Sequence, residues 1–126
     1  MILNSSKQMK IENGNIKSKL LKLAHQNLGS GKLVHKITDI DYIKHLHNPD
    51  ILGISETKVD DNTIAQLKVR GFKTEVKHDT DRINVLIKDT ISYKRRYDLE
   101  IANFPGIWLQ IGSGKSKIII GQIYRE

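Results

Sequence analysis

No cysteine occurs in the 126 residues. That removes disulfides, zinc–thiolate centres and thiol nucleophiles, and is easiest to reconcile with an intracellular protein. Aromatic residues make up only 6% of the chain, which argues against a platform for stacking single-stranded bases, since such a platform needs exposed ring faces. No apolar segment approaches membrane-spanning length, and the N-terminus lacks the unbroken apolar stretch of a signal peptide. A membrane partner is therefore not expected. Apart from a polar N-terminal stretch there is no low-complexity segment and no internal repeat.

What is present is a hydrophobic share of 38%, compatible with the core of one modest domain, and a net charge of +7 from 21 Lys+Arg against 14 Asp+Glu. A cationic balance favours polyanions, because Lys and Arg that neutralise phosphates release condensed counterions. Nucleic acid is the leading partner class, with simple solubilisation by lysine as the plain alternative. Lys94, Arg95 and Arg96 form the densest basic run; Arg95 and Arg96 of that run, with Lys32, are the candidate nucleic-acid contacts.

Residues 1–16 are rich in Asn, Ser and Lys without a clean period and read as mobile. The division expected is a flexible polar arm over 1–19 and a domain over 20–126. Leu20, Leu21, Leu23 and Ala24 lie in a first strand that runs into the loop Asn27-Leu28-Gly29-Ser30-Gly31-Lys32. From Leu33 the apolar residues Ile37, Ile40 and Ile43 recur at helical spacing to about His47, and Asn48-Pro49 breaks the helix. The run P-D-I-L-G-I-S-E-T-K over 49–58 then reads as a buried strand stopping on a carboxylate, Glu56. Strand, loop, helix, strand is a crossover unit whose two strands share a sheet. Asp60-Asp61-Asn62 can cap a short helix over 63–69, ended by Gly71. Beyond it the texture changes to short strands at 72–77, 83–88, 91–96, 106–111 and 117–124, with hairpin turns at Asp89-Thr90 and 112–115. The continuous Ile118-Ile119-Ile120 predicts a central last strand covered on both faces.

Two phosphate-loop look-alikes, Gly29-Ser30-Gly31-Lys32 and Gly112-Ser113-Gly114-Lys115-Ser116, both lack the first glycine of the full pattern, having Gln26 and Leu109 there. The second also lies between strands and reads as a hairpin. His45 and His47, spaced by two, fall on different helix faces and do not make a zinc pair. Glu56, at the carboxyl end of a strand where loops converge, is a candidate metal ligand or acid/base group, with a solvated strand-end glutamate as the plain alternative.

The ordered set A-H-Q-N-L-G-S-G-K, an amphipathic helix, P-D-I-L-G-I-S-E-T-K, hairpin strands, W-L-Q-I and I-I-I-G-Q-I-Y-R resembles the first half of the endonuclease/exonuclease/phosphatase superfamily. It is most similar to the endonuclease domain of non-LTR retrotransposons, relatives of AP endonucleases, and covers about residues 20–126. The resemblance implies an α/β (α+β) sandwich, half of a four-layered fold, with a mixed, mostly antiparallel sheet and flanking helices. It implies hydrolysis of DNA phosphodiesters dependent on Mg2+ or Mn2+, in a nuclear setting. By matching positions, Glu56 is the metal ligand, Asn27 helps order that carboxylate and the phosphate, Lys58 lies beside the metal, and Tyr124 contacts the scissile phosphate. Magnesium suits a site built on few carboxylates, completed by water and phosphate.

The sequence also departs from that pattern. A glycine-rich run expected after Arg82 is replaced by I-N-V-L-I. The Asp-x-Asn motif and the late Asp-His pair of the family's second half do not occur, so a fragment of weak or no activity is expected, prone to self-association or in need of a complementing C-terminal half. A non-catalytic nucleic-acid-binding module and a phosphatase branch of the same superfamily are the alternatives.

Overall fold

The first described elements are an antiparallel pair, β1 (Ser5–Asn13) and β2 (Lys17–Asn27), in the computed structural model, which describes residues 5–13, 17–27, 33–55, 69–77, 79–80 and 83–124. Helix α1 (Leu33–His47) follows, then β3 (Ile51–Ser55), β4 (Phe72–Val76), β5 (Ile83–Lys88), β6 (Lys94–Arg95), β7 (Gly106–Ile111) and β8 (Ile118–Ile123). The strands form a five-stranded sheet in the order β1-β2-β3-β5-β4 and a three-stranded sheet in the order β6-β7-β8. The molecule is a mixed α/β sandwich in which β2 and β3 pair in parallel and the other described pairs are antiparallel. No helix among the described residues is long and apolar enough to cross a membrane.

Side-chain alternation along β2, β3 and β5 divides the core into two layers. Leu21, Ile51, Ile83, Val85 and Ile87 face the small sheet and meet Ile107, Leu109 and Ile111 of β7. Ala24, Leu52, Ile54 and Leu86 face the opposite way and meet Ile40 and Ile43 of α1. Because β3 and β5 are covered on both faces, they read as continuous apolar runs, whereas one-faced strands alternate. Each fully buried Ile or Leu contributes about 1.5–3 kcal/mol.

The helix ends where the sequence predicts. Asn48 adopts a left-handed backbone, φ 44°, and its N–H donates to the Lys44 carbonyl at 2.9 Å before Pro49 turns the chain away. Asp50 then seats β3 between its neighbours. It accepts from the Lys22 N–H through its side chain at 2.8 Å, while its own N–H donates to the Lys22 carbonyl at 2.8 Å and its carbonyl accepts from Lys88 N–H at 2.9 Å.

Four expectations need correction. The polar stretch taken for an arm contains β1, which pairs along its length with β2 and satisfies a row of backbone groups that β2 would otherwise leave open. Asp89-Thr90 is a turn but not a hairpin: β5 and β6 belong to different sheets, and the chain crosses over by inserting buried Ile91 between them. Only Lys94–Arg95 of the expected strand 91–96 pairs as a strand. The last strand is not central. β8 lies at the edge of the small sheet, with Ile118 and Ile120 turned inward and Ile119 and Ile123 exposed, so its apolar run is not a sign of cover on both faces. The short helix expected over 63–69 lies, but for Val69, outside the described residues.

Candidate functional site at the strand ends

Parallel pairing brings the carboxyl ends of β2 and β3 to one edge, and the last pair in register is Asn27 with Ser55. By alternation both lie on the face that looks toward the small sheet, the face of Leu21, Leu23 and Ile51. Ser55 is buried and Asn27 half-buried. Glu56 is the next residue in the chain; it, Lys58 and Lys32 lie outside the described residues. Tyr124 follows β8, its N–H donates to the Pro105 carbonyl at 3.0 Å, and its ring packs against the core between the sheets. Asn27 and Tyr124 are therefore both associated with the inter-sheet side of the sandwich, and Tyr124 also closes that core.

One same-face step before Asn27 and Ser55 stand His25 and Gly53, again partners in register. Gln122, two residues before Tyr124, lies across Gly53, with its Oε1 and Cδ where a side chain at 53 would begin. Only a residue without Cβ leaves that room. Partial burial holds the His25 pKa below its ordinary value and favours the neutral ring. His25, Gly53 and Gln122 line a cavity of about 170 Å³ between the sheets.

Polar groups are also buried on the helix face. Gln26 and Asn84 flank Ile54 in register across β2, β3 and β5. Gln26 is 2% exposed and Asn84 fully buried. The Gln26 amide donates to the Asn27 carbonyl at 2.9 Å, but its Oε1 and both polar atoms of Asn84 make no hydrogen bond. Asn84 stands in the stretch where the sequence departs from its glycine-rich expectation.

The basic run is not a free phosphate clamp. Arg95 reaches inward, donating to both carboxylate oxygens of Glu100 at 2.7 and 2.8 Å and to the Val76 carbonyl at 2.7 Å, with Glu75 at 3.6 Å and the Tyr97 ring 4.6 Å away. Burial disfavours its charge, but the Glu100 hydrogen bonds outweigh burial and hold its pKa above the ordinary value. Burial likewise opposes the Glu100 charge, and donation from Arg95 and the Trp108 N–H outweighs it, so that pKa is lowered. Arg95, expected as a phosphate contact, has its fork taken up by the Glu100 carboxylate. Arg96 donates to Asp98 at 2.8 and 2.7 Å and to Gln110 at 2.9 Å. Its hydrogen bonds draw the exposed Asp98 carboxylate down to about 2. Of the run, Lys94 is the residue left exposed, along with Lys73, Lys115 and Lys117 elsewhere.

A second clamp adjoins the first. Buried Lys77 donates to Asp79 at 2.6 Å and to the Ile101 carbonyl at 2.8 Å, and Asp79 accepts from the Asn103 N–H at 2.6 Å. Asp79 is accordingly pulled below the usual carboxylate range, first by the Asn103 N–H and then by Lys77.

Sequence reasoning names Asn27 and the end of β3 as candidates and does not name His25, Gly53 and Gln122 as a group. A usable signal was the alternation Ile118, Ile120, Gln122, which puts an amide in an inward position of an otherwise apolar row. No protein-family model matches the chain, and no curated protein matches it.

Proposed function

We propose that the chain carries part of a magnesium-dependent phosphodiesterase site directed at DNA, of the endonuclease/exonuclease/phosphatase kind that its motifs resemble. The observation that supports this reading best is the Asn27–Ser55 register: the Asn27 amide stands at the carboxyl edge of two parallel strands, opposite Ser55, whose next residue in the chain is Glu56. Open α/β sheets bind ligands beyond the carboxyl ends of such strands.

A carboxylate at Glu56 is a hard oxygen donor, and a site built on so few carboxylates suits magnesium, which keeps waters and takes substrate phosphate oxygens. When bound, the ion would stabilise developing charge on the phosphoryl group. Glu56 holds it, Asn27 orients that carboxylate and the phosphate, and the Tyr124 phenol donates toward a phosphate oxygen. Lys58 adds charge beside them. None of these four is a general base, so turnover by this chain alone is slow or absent.

Purified chain incubated with supercoiled plasmid and magnesium should nick it slowly, and Glu56→Gln should lower the rate by about 100-fold. Equal nicking by both proteins would sink the metal-ligand assignment. The second reading, a nucleic-acid-binding module without chemistry, is favoured by the exposed Lys73, Lys94, Lys115 and Lys117. It predicts salt-sensitive DNA binding that Glu56→Gln leaves intact or strengthens, with no nicking by either protein.

A further inference from the structure

The cavity between the sheets has a volume of about 170 Å³ and is walled by Ile51 and Val85 on one side and by Ile107, Leu109 and Ile120 on the other. An apolar cavity of about 150 Å³ accepts one benzene-sized ring, so the space here suits a single six-membered ring. Among the described residues its lining contains no carboxylate, ammonium or guanidinium, and His25 is the one titratable group among them. Desolvation favours that imidazole in its neutral form. Such a lining offers an ion nothing to pair with, and a neutral occupant is required.

Beside His25, a second polar group interrupts the apolar wall. Gln122 lines the cavity, and its buried Nε2 makes no hydrogen bond. The end of the same side chain lies over Gly53, in space that a Cβ would take, which sets the amide beside the cavity. A donor buried and unpaired beside an apolar space selects for an acceptor, since a ligand atom that accepts from it supplies a hydrogen bond that the folded chain does not.

We propose that this inter-sheet cavity is a binding site for one neutral six-membered aromatic ring that carries a hydrogen-bond acceptor, with the Gln122 amide as its donor. The site is separate from the phosphodiester reading: His25 and Gly53 precede Asn27 and Ser55 by one same-face step, and no residue is shared.

The test is a titration of the whole chain with pyridine and, in parallel, benzene at neutral pH, followed by amide and methyl NMR correlation spectra. Wild type should show saturable shifts confined to the lining residues, with pyridine bound about three- to tenfold more tightly than benzene. Gln122→Leu should invert that preference, and Ile120→Phe, which fills the space from the edge strand, should abolish both responses. Shifts that are absent or scattered over the surface would overturn the proposal, as would a pyridine preference that survives in Gln122→Leu. The Leu variant places an apolar side chain in an apolar lining, so the preference test stands even where Ile120→Phe does not fold.

Discussion

Two polar regions of this molecule are built in opposite ways. At the corner formed by β4, β6 and the segment before β7, every buried charge has a partner: Arg95 spans Glu100 and the Val76 carbonyl, and Lys77 spans Asp79 and the Ile101 carbonyl. At the carboxyl ends of β2 and β3, neighbouring buried polar atoms stand without partners, on Gln26 and Asn84 toward the helix and on Gln122 toward the small sheet. The first arrangement holds a segment in place. The second tolerates a deficit that a purely structural region would have removed, as functional sites commonly do. The density of charge in the sequence therefore points away from the candidate site.

The comparison breaks most visibly at Arg95. Arg95→Met leaves Glu100 buried without its cation and should cost about 3–5 kcal/mol, read from urea unfolding. Arg95→Met combined with Glu100→Leu should recover most of that loss, and a double variant as unstable as the single one would show that the pair does not act as a unit. Asn84→Leu works in the other direction. Two unpaired buried atoms are exchanged for an apolar side chain of similar volume, and thermal melting should show a gain of about 1–3 kcal/mol. Gly53→Ala places a methyl where the flexible end of the Gln122 side chain lies, so the amide must shift, and the cost should be up to about 1 kcal/mol. Adding Gln122→Ala should relieve much of the cost, which a double-mutant cycle measures directly.

The smallest effect is a pH dependence. The folded His25 pKa lies below its ordinary value of 6.5. The unfolded chain therefore takes up its proton first as pH falls, so stability attributable to His25 is present above 6.5 and is lost on descending through the lowered folded value. Glu100, also depressed from 4.5, gives a second loss further into acid. His25→Leu should flatten the upper part of the curve and leave the lower part; an unchanged curve would mean that the imidazole is equally protonated in both states.

Local patterns carried the fold reading far and stopped at tertiary pairing. The spacing of Ile37, Ile40 and Ile43 and the Asn48-Pro49 stop mark α1, and the bounded run at 51–55 marks β3, because helix faces and buried strands write themselves into contiguous sequence. The turn at 112–115 is found for the same reason. The edge position of β8 is not, since three consecutive isoleucines look alike whether or not the outward one is covered. β1 is hidden by its polarity, because an edge strand needs a backbone partner more than it needs apolar side chains. Arg95 looked like a surface charge because Glu75 and Glu100, which take it up, are joined to it only by folding. Asn27, expected in the loop after the first strand, is instead the last residue of β2, because its pairing with Ser55 extends the strand to it. The cavity was not readable, since it exists only where Gly53 and Gln122 meet from different sheets.

The ring of Trp108 lies across Gly121 of the edge strand, filling the place a side chain would occupy, and its backbone carbonyl accepts from Arg96 at 2.8 Å. It is the only tryptophan in the chain. Its fluorescence is thus a local gauge of the small sheet and is blind to α1, whereas far-ultraviolet dichroism follows the helix. If emission shifts at lower denaturant than ellipticity, β8 and its neighbours peel away before the crossover unit melts. If the two signals move together, the sandwich opens as one body.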